Sequence, residues 1–298
     1  LERPGMTVSE ELPDGTKVFY LGDKGFGCPA RVLGTTSSTV AIELAFLTDL
    51  AQENALMRKL VQERVSEHYV VANRVAQRLK ISSLVLSRIT SSMLVQVKKQ
   101  KMNLGLNLKF EAKGRKVLGY TQRTSLGWEY SERAIALIES FVRAFPEFVR
   151  NVAQRPPHGE VYRDVDLFPE DTEKRIAALI AFEKEHKLRE LEDVPVYVDR
   201  LEHTVVATLE AAIRIMARKR AESGGLGIKR QILRGLPRYA LLKPEQARMR
   251  VPQQQFQLGD RVVNVLDFGA VPPAAKGTVV GLGSNSIDVV FDAPYLGG

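Results

Sequence analysis

Few residues in this chain are grouped in a way that could do chemistry, and each group has a simpler structural reading. The four histidines, His68, His158, His186 and His203, stand at no metal-ligand spacing from one another or from the single cysteine, Cys28. His68 and His203 fall in expected helices, where packing accounts for them. Asp164-x-Asp166 and Glu170-Asp171 offer carboxylates to a divalent ion. The same acids precede a helix opened by Pro169, and carboxylates favour the positive end of a helix, so a capping cluster is the better reading. Gly224-Gly225-Leu226-Gly227 lacks the Lys-Ser/Thr of a phosphate-cradling loop. Ser91-Ser92 and Cys28 have no recognisable base partner for nucleophilic attack. Phe110, Tyr120, Trp128 and Tyr130 have faces on which bases could stack, but their alternating strand positions suit a core. No catalytic residue, metal site or cofactor is expected in this chain.

Charge is the stronger signal. The formal net charge is +8 over 298 residues, unevenly spread. Residues 71–124 hold twelve Lys and Arg against one acid, Glu111. Residues 160–202 hold thirteen acids and seven bases, and residues 214–250 eleven bases and two acids. Basic stretches raise the expectation of nucleic acid, while a solvated face docking on an acidic neighbour explains them equally well. The candidate phosphate contacts are Arg88, Lys98, Lys99, Lys101, Lys113, Arg115 and Lys116. No apolar run is long enough to span a bilayer, so no membrane partner is expected, and the acidic N-terminus is not a signal peptide. One cysteine excludes an internal disulfide and fits a reducing compartment. A start at Leu1 and a stop at Gly297-Gly298 suggest an excised fragment.

The elements that must carry these residues show in the patterning. Residues 1–11 look like a linker. Strands are expected at 16–21, 30–33 and 39–46, and helices at about 49–64, 67–79 and 84–92, the last capped by Ser82 or Ser83. Strand-like text follows at Met93–Val97, Leu106–Phe110, Val117–Tyr120 and Trp128–Tyr130, with a basic tip at Lys113–Lys116. Ser131-Glu132 opens an amphipathic helix broken near Pro146. Pro156-Pro157-His158-Gly159 reads as a surface loop. Helices at about 169–187 and 199–219 precede strands Ile228–Leu233 and Tyr239–Leu242.

One pattern occurs twice. Asp14-Gly15-Thr16-Lys17-Val18-Phe19 leads to Ala30-Arg31-Val32-Leu33-Gly34, and Leu258-Gly259-Asp260-Arg261-Val262-Val263 leads to Gly277-Thr278-Val279-Val280-Gly281. Glycine, a polar residue, a base and valine open a strand, and a small-x-Val-x-Gly strand follows. Small SH3-like barrels of the KOW and Tudor type begin this way. The expected fold is therefore α+β and multidomain. A KOW/SH3-like β-barrel (12–48 with about 228–252) is interrupted by a winged-helix domain with extra helices (49–225). A second, shortened SH3-like barrel follows (256–298). In a winged helix the last helix of the trio can enter a DNA groove. Here that helix carries one charge, Arg88, which argues against sequence reading and for a structural or RNA-backbone role.

Longer strings resemble a known family. They include Gly15-Thr16-Lys17-Val18-Phe19-Tyr20-Leu21-Gly22, Phe26-Gly27-Cys28-Pro29-Ala30 and Asn103-Leu104-Gly105-Leu106-Asn107-Leu108-Lys109-Phe110. Val117-Leu118-Gly119-Tyr120-Thr121, Trp128-Glu129-Tyr130-Ser131 and Phe256–Val265 continue the likeness, which is weakest at 150–225. The chain resembles the cytoplasmic 5′-to-3′ exoribonucleases of messenger-RNA decay, in the part that follows their catalytic core. That likeness implies an accessory and scaffolding role beside a nuclease whose Asp/Glu cluster holds a divalent metal, magnesium, further upstream. It implies a cytoplasmic location. The implied partners are the nuclease core of the same protein, RNA and messenger-RNA-decay proteins. No catalytic residue carries over. The alternative, from another class, is an autonomous RNA-binding module using the basic strand and tip.

Overall fold

The structure is a computed structural model that describes residues 6–65, 68–154, 161–222, 227–251 and 253–295. Residues packed on one another form two units, 1–65 with 203–298, and 66–202. Helices Leu50–Val65 and His203–Glu222 thus belong with the terminal segments rather than with the middle of the chain. Pro156-Pro157-His158-Gly159 and Ser223 to Leu226 lie outside the described residues.

The first unit is built on a five-stranded antiparallel sheet. Its spatial order is Ile228–Leu236, Val40–Leu47, Cys28–Thr35, Lys17–Tyr20 and Leu241–Leu242. Alternation aims Val18, Val32, Val40, Ile42 and Leu44 into one core, which Val8, Leu12 and Leu241 complete. The expected linker is in part a helical turn, Val8–Glu11. Thr7 Oγ1 accepts from the Glu10 amide at 3.3 Å, and Glu10 Oε2 accepts from the Thr7 amide at 2.8 Å. This reciprocal cap frees Val8 and Leu12 to be buried.

Helices Leu50–Val65 and His203–Glu222 pack in the same unit, where Arg220 reaches Glu53 at 3.1 Å. Burial pushes the Glu53 carboxyl above its ordinary range, and Arg220 opposes the shift. A second sheet pairs Arg261–Val263, Lys276–Leu282 and Ile287–Phe291, all antiparallel.

The second unit carries three small sheets over one large core that includes Leu86, Ile89, Trp128, Tyr130, Ile135, Phe148 and Phe168. The helix expected over 67–79 is instead strand Tyr69–Val71 followed by helix Ala72–Arg78. Val70 and Val71 pair with Tyr130 and Glu129, and that ladder overrides a helical pattern of β-branched residues. His68 accordingly precedes a strand and is not helical. Ser82 caps helix Ser83–Thr90 by accepting from the Val85 amide at 3.2 Å. Ser131 caps helix Glu132–Ala144 through the Ala134 amide, also at 3.2 Å. Pro146 opens a new helix, Pro146–Gln154, as its missing N–H and preset φ allow. Pro169 does not open the next one. That helix starts at Thr172, behind Asp171 in a left-handed conformation at φ 52°.

Candidate nucleic-acid interface

The seven candidate phosphate contacts all lie in the second unit and divide between two sheets and a helix. Lys98 and Lys99 form the two-residue tip of a hairpin, because Val97 pairs with Gln100. Lys101 stands on its outgoing strand, Gln100–Asn103. The tight turn needs a positive φ at its first central residue, and Lys98 supplies it at 55°. Lysine is a costly choice there, since Asn or Gly tolerates that conformation better. Lys98 reaches Glu173 at 2.6 Å, with both side chains exposed. Lys99 and Lys101 are exposed.

Lys113 ends the short helical turn Glu111–Lys113, and Arg115 and Lys116 follow on a strand of another sheet. Lys113 is exposed, its ammonium 6.0 Å from the Phe110 ring centre. Gly114 turns the chain at φ 57° into strand Arg115–Val117. There Arg115 grips the Asp193 carboxylate and also donates to the Asp193 carbonyl at 2.7 Å. Lys116 is buried and donates to Asp199 at 2.9 Å. The expected basic tip is therefore largely a strand that pairs with Asp193–Pro195. Arg88 is half-buried and donates to the Val152 carbonyl at 2.8 Å. The basic run at 71–124 is thus partly neutralised by the acidic run at 160–202.

Two of the four aromatic candidates, Trp128 and Tyr130, are closed to bases, while Phe110 and Tyr120 are half-buried. Trp128 and Tyr130 belong to the core, and the Tyr130 hydroxyl shares a 2.9 Å hydrogen bond with Thr90. Burial pushes the Tyr130 phenol up to about 12, with Thr90 opposing. Lys109 and Arg123 flank the Trp128 ring, each 5.6 Å from its centre. Sequence reasoning overlooked Lys109. It is buried, donates to Ser87 at 2.9 Å and lies 3.6 Å from Glu111. Burial lowers its pKa, and Glu111 opposes the shift. Nothing local marks this lysine, because Leu108 before it is also buried.

The groups tested for catalysis do not assemble. Among the described residues, no three of His, Cys, Asp and Glu are placed to hold a metal ion. Asp166 is gripped by Arg163 at 2.9 Å, and His186 stacks on Phe182 at 4.0 Å. Cys28 is buried, and burial raises its thiol pKa, away from nucleophilic thiolate. Among the described residues no helix is long and apolar enough to cross a membrane.

The chain is α+β, with several small sheets and the helices between them. Residues 7–229 match the family described as Exoribonuclease Xrn1 D2/D3 domain, and residues 254–298 match the Xrn1 SH3-like domain. The whole chain aligns with 5'-3' exoribonuclease 1 of Schizosaccharomyces pombe at 36% identity over 297 residues, covering 22% of that protein. It aligns with the Saccharomyces cerevisiae 5'-3' exoribonuclease 1 at 31% over 311 residues, 20% of that protein. The human 5'-3' exoribonuclease 1 is 28% identical over 208 residues, 66% of this chain and 12% of that protein. The chain belongs to the Xrn1 exoribonuclease family. It spans about a fifth of the length of the two yeast relatives.

Proposed function

We propose that this chain is the accessory and scaffolding region of a 5′-to-3′ exoribonuclease that degrades 5′-monophosphorylated messenger RNA in the cytoplasm. It stabilises the nuclease core and offers docking surface to that core, to RNA and to proteins of messenger-RNA decay. Catalysis and its magnesium belong to the nuclease core on this reading. One observation carries the scaffold reading over an autonomous RNA binder. Arg88, Arg115 and Lys116 are each committed to partners within their own unit. Charges already paired have less to offer a phosphate.

The same reading gives the sheets their names. The first five-stranded sheet is the KOW-like barrel. Strand Tyr69–Val71, two helices and hairpin Thr121–Ser131 supply the parts of a winged helix. The spatial order Tyr69–Val71, Gly127–Ser131, Thr121–Thr124 supports this, because the strand before the helix pair adds to the hairpin's second strand.

A second reading rests on the lysine tip. A left-handed Lys98 beside exposed Lys99 and Lys101 is a strained basic point, and such strain often marks function. The test is titration of a fluorescent 5′-phosphorylated single-stranded RNA at several salt concentrations with magnesium, with the products run on a gel. Scaffolding predicts weak binding and no cleavage. Its log-log salt slope is no steeper than about −2, since each single-strand contact contributes about −0.7. A slope near about −5, as expected if all seven candidate bases contact phosphates, that falls to about −3 on replacing Lys98, Lys99 and Lys101 establishes the RNA module instead. Cleavage by the pure chain rejects both.

A further inference from the structure

We propose that strand Ile228–Leu236 is a docking edge, which takes an acidic, extended segment of another protein as an added β-strand. Among the described residues, the strand is terminal in its sheet and pairs only with Val40–Leu47. From Ile228 to Leu233 the pairing runs without a break, so the opposite edge is regular over the same stretch. In an antiparallel ladder, alternate residues direct both N–H and C=O away from the partner. Among the described residues, no backbone hydrogen bond beyond the Val40–Leu47 ladder involves this strand.

The first five residues of the strand are also exposed on both faces. Residues 228–232 are all exposed, and Ile228 and Ile232 keep 52% and 53% of their surface open. Proteins ordinarily cover or shorten such edges, because they template pairing with other chains. A long, open edge with two isoleucines is therefore an interface waiting for a strand.

Charge selects the occupant. Lys229, Arg230 and Arg234 lie along the edge, and no acid does. A second copy of the chain would bring like charges together, which disfavours self-pairing. Nucleic acid would meet the bases but leave the backbone groups and the isoleucines unmatched. Ile228, Arg230 and Ile232 share one face by strand alternation. The exposed Arg230 stands 3.6 Å from the half-buried Glu43, a long pair that a second acid can share. The complementary strand carries an acid opposite Arg230, with apolar residues two positions to either side.

The test uses a labelled peptide of about nine residues, matching the nine-residue strand. Every second residue reads valine, glutamate, valine, and threonine fills the rest. Anisotropy gives affinity for the 298-residue chain, and amide hydrogen exchange locates the site. Binding with slowed exchange across 228–236 is expected. A version with lysine for glutamate binds about tenfold more weakly. Arg230→Glu reverses that preference, and its melting curve reports whether the fold survives. Ile232→Asp, at an exposed position, lowers affinity for both peptides and serves if Arg230→Glu unfolds. No binding up to about 1 mM overturns the proposal. So does protection elsewhere, indifference to the peptide's charge, or a single-stranded RNA that slows these amides where the peptide does not.

Discussion

The first unit contains two sheets that open identically and close differently. Gly15 and Gly259 sit at φ 84° and 87°. The Gly15 amide donates to the Val32 carbonyl at 2.8 Å, and the Gly259 amide donates to the Val279 carbonyl at 2.9 Å. The Val32 amide donates back to Thr16 at 3.0 Å, as the Val279 amide does to Asp260 at 2.9 Å. The second strand then slips register between Val32 and Gly34, and between Val279 and Gly281. From there they diverge. In the first sheet, strand Ile228–Leu236 returns from far along the chain and the inner face is sealed, with Ile42 fully buried. In the second, Ile287, Val289 and Phe291 stay half-buried and line a cavity of about 810 Å³ shared with Leu21, Leu50 and Leu242. The base after the glycine also differs in role. Lys17 is exposed, whereas Arg261 is buried, grips Asp292 and donates to Thr278 at 2.8 Å and Asn54 at 3.0 Å. A repeated turn thus sets how a sheet begins, and remote strands decide whether it encloses a core.

The largest effect should come from that base. Arg261→Ala leaves the half-buried Asp292 without its partner and should cost about 3 kcal/mol, whereas Lys17→Ala should stay within about 0.5 kcal/mol. Chemical denaturation measures both, and equal losses would break the distinction. Next are the inner faces. Ile42→Ala empties a sealed site and should cost about 2–5 kcal/mol. Val289→Ala, beside an open cavity, should cost about 1 kcal/mol or less. A large loss at Val289 would show that this sheet is as closed as the first. The smallest contrast concerns the shared turn. Gly15→Ala and Gly259→Ala both place a side chain at positive φ, at about 1–2 kcal/mol. At Gly15 nothing lies within 4 Å of the added methyl, but at Gly259 Val61 stands at 2.9 Å. Gly259→Ala should therefore be the worse by about 1 kcal/mol, which melting temperatures resolve.

Much of the local structure was legible because it rests on neighbours in sequence. Ser82 and Ser131 announce their helices, since a hydroxyl at that position needs only the amide three residues on. Gly15 and Gly259 announce their turns for the same kind of reason. The misreadings came where a distant partner overrode the pattern. Val70 and Val71 fit a helical face, yet join a strand pair with Tyr130 and Glu129. Within the candidate interface, the types and positions of the seven bases were visible. Their availability was not. Asp193 and Asp199 lie 78 and 83 residues from the bases they bind.

By itself, then, the sequence determined the capped helices, the twin glycine turns, the alternation that makes inner faces, and the alternating blocks of charge. Each depends on residues within a few positions of one another, where spacing alone sets geometry. Only the tertiary structure decided which charges remain open to a partner and which strand closes which sheet. Those outcomes depend on which distant segments meet. A Lys116 buried against Asp199 and an Ile232 left in solvent carry no mark in their own neighbourhoods.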